Sequence, residues 1–131
     1  MKIPDTPFSA TPLDILIAED NFIVALDLKT KVEGFGHNCV GPFRTVVDTM
    51  ASVEAKHPDF AILDVELLDG RVFIVAAHLA DLGIPFVFVT ARTDLVREAG
   101  FDPTRILLKP FRRADLKVAL DYGVAAQAER V

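Results

Sequence analysis

Leu13-Asp14-Ile15-Leu16-Ile17-Ala18-Glu19-Asp20 decides the fold: a run that is apolar but for Asp14 passes straight into two acids. It is too short for a helix, and its near-continuous hydrophobicity marks a strand covered on both faces, as in a parallel sheet. Three further runs end in the same way: Phe60 to Leu63 into Asp64, Pro85 to Val89 into Thr90, and Ile106 to Leu108 into Lys109. Parallel strands bring their carboxyl ends to one sheet edge, so three carboxylates, a hydroxyl and an ammonium should meet there.

Helical patterns separate the runs. From Asn21, apolar Ile23, Val24, Leu26, Leu28 and Val32 alternate with charges until Gly34 or Gly36. His37 to Val40 reads as a weaker second strand, Gly41-Pro42 as a break, and Arg44 to Lys56 as the second helix. Ala61 to Leu63 is the third strand, Arg71 to Leu82 the third helix, Phe86 to Val89 the fourth strand and Arg105 to Leu108 the fifth. Turns at Gly100 and Asp102-Pro103 leave room for about two helical turns near Asp94 to Ala99. Arg112 to Gln127 forms the last helix. This alternation implies right-handed crossovers and an α/β, flavodoxin-like, doubly wound five-stranded parallel sheet of order 2-1-3-4-5, with a shortened fourth helix. Strands one and three then flank the switch point where such sheets bind ligands.

The 131 residues, 51% of them hydrophobic, suit one domain with one core. Residues 1–12 carry three prolines and no apolar core, so they read as a flexible arm, with the domain at 13–131; neither a signal peptide nor a membrane anchor is expected. A net charge of -5 offers no attraction for polyanions, which argues against nucleic acid and anionic membranes as direct partners. Cys39 is the sole cysteine, which fits a reducing cytoplasm.

Each site residue has a bland alternative. Asp20 or Asn21 suits a helix cap, Asp64 a turn, and Thr90 a strand end. The set is more telling than its members. Carboxylates crowded within about 4 to 6 Å raise one another's pKa and cost stability unless a cation joins them. Mg²⁺ fits, since it takes one or two protein carboxylates and keeps positions for phosphate oxygens. A carboxylate beside it can attack phosphorus: Asp64 is the candidate nucleophile, Lys109 the neutralising ammonium and Thr90 the hydroxyl partner.

Glu19-Asp20, Asp64, Thr90-Ala91 and Lys109-Pro110-Phe111, each after its strand, resemble the CheY-like receiver domain of bacterial response regulators over about Leu13 to Gln127. The resemblance implies that Glu19, Asp20, Asp64 and the Glu66 carbonyl bind Mg²⁺. It also implies that Asp64 accepts phosphate, that Thr90 and Lys109 hold the phosphoryl group, and that the Lys109-Pro110 peptide is cis. The implied partners are a histidine kinase or histidine phosphotransfer protein as donor and a downstream protein as target, and a homodimer is compatible with it. Such a domain catalyses only its own phosphorylation and dephosphorylation, so it is no turnover enzyme.

Some positions depart from the family pattern. Ile106 stands where many receivers carry an aromatic switch residue, leaving Phe88 and Phe101 as candidate substitutes. Leu68 replaces a common proline and Gly70 comes early, so the loop after the third strand should be remodelled. Pro85-Phe86-Val87-Phe88-Val89-Thr90 resembles the strand of a stand-alone alphaproteobacterial subset. Glu66 and Arg92 should overhang the site, either paired across it or as two solvated charges. Arg112 and Arg113 open the last helix, against its dipole, and are expected to be solvated or to meet a partner carboxylate. His37, His57 and His78 show no ligand spacing and receive no chemistry. Two other readings compete. A haloacid-dehalogenase-type phosphohydrolase also uses a post-strand Asp but needs a second Asp where Glu66 stands; a degenerate receiver acting as a scaffold has no need of mutually repelling acids.

Overall fold

β1 (Asp14–Ala18) pairs in parallel with β2 (Asn38–Phe43) on one side and β3 (Phe60–Asp64) on the other. β3 continues to β6 (Phe86–Thr90) and β6 to β7 (Ile106–Leu108), giving the order β2-β1-β3-β6-β7. The computed structural model describes residues 12–130. The expected arm, apart from Pro12, lies outside them. Helices α1 (Phe22–Gly34), α2 (Val46–Ala55), α3 (Phe73–Asp81), α4 (Thr93–Glu98) and α5 (Arg113–Arg130) complete the alternation. The sheet order is the expected one once a small hairpin, β4 (Glu66–Leu67) with β5 (Gly70–Arg71), is set aside.

Alternation along each strand builds two cores. Leu16, Ala18, Ala61, Leu63 and Phe88 face α2, α3 and α4 through Val53, Val75, Leu79 and Val96. Ile15, Ile17, Ile62, Val87 and Val89 face α1 and α5 through Leu28, Val32, Leu116 and Leu120. Burial on both faces is why these strands read as unbroken apolar runs. Gly123 lets α5 settle on β3, since a Cβ there would stand 2.8 Å from ring atoms of the buried Phe60.

Several boundaries differ from expectation, among them the end of α5, which reaches Arg130 and not Gln127. β2 runs through Gly41-Pro42 instead of stopping at Val40, and the Gly41-Pro42 peptide is cis. α2 begins at Val46 because Thr45 takes the cap position, its hydroxyl accepting from the Asp48 N–H at 3.1 Å. α3 begins at Phe73, because Gly70 and Arg71 are drawn into the hairpin; Gly70, at φ +146°, sits where a glycine is favoured. α4 is six residues long, the shortened helix expected.

Candidate functional site

In-register pairing of Ala18 with Leu63, Asp64 with Val89 and Thr90 with Leu108 brings the four strand ends to one edge. Glu19 and Asp20 follow β1, Asp64 closes β3, Thr90 closes β6 and Lys109 follows β7. One carboxylate oxygen from each of Glu19, Asp20 and Asp64 lies within 4.8 Å of the others. Lys109 Nζ stands 3.2 Å from Glu19 Oε1 and 3.6 Å from Asp64 Oδ2. Its backbone N–H donates to the Thr90 carbonyl at 3.0 Å, joining the last two strand ends, and the Lys109-Pro110 peptide is cis.

Glu19 is fully buried. Its Oε2 accepts from the Asn21 N–H at 3.1 Å, whereas Oε1 accepts no hydrogen bond from the described residues. Lys109 supplies Oε1 with an opposite charge at ion-pair distance, without hydrogen-bond geometry. Asn21, rather than Asp20, caps α1 by accepting from the Ile23 and Val24 N–H groups, so Asp20 is spared that task. Asp64 is 7% exposed, and its pKa is pushed up to about 8 by burial first and then by the Glu19 and Asp20 carboxyls, against the opposing pull of Lys109. A buried carboxylate oxygen with an ion-pair partner but no hydrogen bond, beside crowded acids, has the donor chemistry of a hard divalent-cation site, so the residues fit Mg²⁺.

The Thr90 hydroxyl accepts from the Arg92 N–H at 2.9 Å. Of the two readings open for Arg92 and Glu66, the direct pair is not formed: Asp94 holds the Arg92 guanidinium in a fork, at 3.0 and 2.8 Å, while Glu66 adds only longer-range attraction. A carboxylate two residues away is nearer at hand than one across the loops. Glu66 lies on β4 with an exposed side chain, its N–H making a long 3.5 Å contact to Asp64 Oδ1. Arg112, which precedes α5 and does not open it, meets Asp115 of the first turn, and Arg113 stacks over the Phe35 ring at 4.2 Å. Phe88 is enclosed by the rings of Phe73, Phe86 and Phe101, with Ile106 packed on the same cluster. Sequence reasoning missed Arg44 and Asp69, which tie neighbouring loops to the site. The Asp69-Gly70 turn dipeptide, between Leu68 and Arg71, is the sequence signal for the hairpin.

No protein-family model matches the chain. It is 32% identical over 119 residues to the phyllosphere-induced regulator PhyR of Methylorubrum extorquens, across 87% of this chain and 44% of that protein. The solution structure of SdrG from Sphingomonas melonis Fr1 aligns with a TM-score of 0.70 at 33% identity, over 89% of this chain and 97% of SdrG. The chain belongs to the response regulator receiver family. The response regulator PhyR from Brucella abortus matches the receiver with a TM-score of 0.72 at 30% identity, over 91% of this chain and 48% of that one. Its neighbours thus include receivers of alphaproteobacterial regulators, the subset that the Phe86 to Thr90 strand resembles. The receiver spans about half the length of the curated relatives it matches. Among its described residues, no helix is long and apolar enough to cross a membrane.

Proposed function

We propose that this receiver takes a phosphoryl group onto Asp64 from a histidine kinase or histidine phosphotransfer protein, with Mg²⁺, in the cytoplasm. The supporting observation is the acidic trio within 4.8 Å, with one buried oxygen left without a hydrogen bond and an ammonium beside it. An Asp64 carboxylate oxygen forms the new bond to phosphorus while the donor's P–N bond breaks and its imidazole leaves, taking up a proton. Glu19, Asp20, Asp64 and the Glu66 carbonyl are the proposed ligands of the cation, whose contribution is to neutralise charge on the phosphoryl oxygens and lower the Asp64 pKa. Lys109 neutralises the same charge from the β7 side. Thr90, whose hydroxyl oxygen accepts from the Arg92 N–H, donates its O–H to a phosphoryl oxygen.

The output we infer is protein contact or onward phosphate relay. The anti-anti-sigma factor PhyR from Bartonella quintana is 26% identical and supports output through a protein partner. Incubation with radiolabelled acetyl phosphate and MgCl₂ tests the reaction. The wild-type chain should label, and label should be lost with EDTA or in Asp64→Asn; undiminished labelling of that variant refutes Asp64 as acceptor.

A further inference from the structure

Two side chains outside the acidic pocket lace together three of the loops around it. The Asp69 carboxylate, at the tip of the β4–β5 hairpin, accepts from the backbone N–H of Val46 at 2.6 Å and of Val47 at 3.2 Å. Leu68 N–H donates to the Arg44 carbonyl at 3.1 Å. Arg44 Nε in turn donates to the Asp20 carbonyl at 3.2 Å. The loop bearing Glu66, the start of α2 and the loop bearing Asp20 are therefore one hydrogen-bonded unit.

Capping of α2 explains part of this arrangement. Of the N–H groups left free at its start, Asp48 is served by Thr45 Oγ1, the helix's own cap, while Val46 and Val47 are served by Asp69 from outside the helix. The hairpin needs the tie as well. It has only two residue pairs, Glu66 with Arg71 and Leu67 with Gly70, far short of independent stability. Its base is secured by buried Leu67 and by the Val72 N–H bond to the Val65 carbonyl, whereas its tip is held, among the described residues, through Leu68 and Asp69. The contact from Glu66 N–H to the site is too long to fix it from within.

We propose that Asp69 is a positioning residue for the divalent cation: its grip on the start of α2 holds the Glu66 loop in place against the loop that carries Asp20. This inference rests on the metal-binding part of the function proposed above. Mg²⁺ demands near-ideal octahedral geometry, so a loop that wanders by a fraction of an ångström costs affinity, and outer-shell partners of metal ligands are commonly worth about 10-fold or more.

Isothermal titration of the whole chain with MgCl₂, alongside thermal melts, tests it. Asp69→Ala should weaken Mg²⁺ binding about 10-fold. Asp69→Asn keeps one acceptor oxygen for the Val46 N–H and should lose about a third as much; if the alanine variant does not fold, unchanged affinity in the asparagine variant overturns the proposal. Thr45→Ala removes the helix's own cap and should lower the melting midpoint while leaving Mg²⁺ affinity within about twofold. Unchanged affinity in Asp69→Ala, or equal losses in Thr45→Ala, assigns Asp69 to helix stability and overturns the positioning role. A wild-type chain that takes up no Mg²⁺ instead removes the proposed function, and this inference with it.

Discussion

Removing the acceptor should stabilise the metal-free protein. In the folded state burial and the neighbouring acids raise the Asp64 pKa to about 8, against about 3.9 for an unfolded aspartate. The folded state thus keeps a proton that the unfolded chain releases. This contribution is fully present below about pH 4 and is lost progressively as the pH rises to about 8. Three pH units at about 1.36 kcal/mol each set a ceiling near 4 kcal/mol at pH 7. Asp64→Asn removes the ionisation but leaves a buried amide to satisfy and loses the Lys109 contact, so the expected net gain is about 1 to 3 kcal/mol at pH 7. Urea denaturation in EDTA at pH 5, 7 and 8 measures it, and the gain should grow with pH. In saturating Mg²⁺ the order should narrow or reverse, since a ligand at 100 times its Kd adds about 2.7 kcal/mol to the wild type alone. A variant no more stable than wild type at pH 7 without metal, or a difference that does not vary with pH, refutes the crowding argument.

Gly123→Ala should lower stability by about 1 to 2 kcal/mol, because overpacking against the Phe60 ring outweighs the gain in helix propensity; urea midpoints check it, and Phe60→Leu in the same chain should restore part of the loss. Burial lowers the His37 pKa, and its Nδ1 accepts from the Leu13 N–H at 3.0 Å. Stability should therefore fall as the pH drops below about 6.5, where the unfolded histidine begins to bind a proton the folded one refuses, and melts of His37→Gln should lack that component. Since Arg92 is held by Asp94, Glu66→Ala should leave the acyl-phosphate lifetime within about twofold of wild type, whereas Asp94→Asn, which frees the guanidinium toward the phosphoryl dianion, should lengthen it; hydrolysis rates of labelled protein decide both.

The sequence by itself determined the sheet and the makeup of its active edge. Strands buried on both faces must be apolar along nearly their whole length, so Leu13 to Ala18, Phe60 to Leu63 and Phe86 to Val89 stand out in the sequence, and their shared direction places Glu19, Asp20, Asp64, Thr90 and Lys109 together. Turn residues at Gly100 and Asp102-Pro103 likewise limited α4 to a stub. Tertiary structure alone decided what depends on contacts across loops. The sequence set Arg92 only against Glu66 or solvent, and side-chain reach gave it to Asp94 instead. The hairpin after Asp64 is too short for a periodic pattern to reveal, and it exists because Leu67 finds the core and Asp69 finds the start of α2. Local composition encodes elements whose burial is set by their own periodicity. The ties between loops depend on angles and distances that arise only when the sheet has closed and the helices have docked.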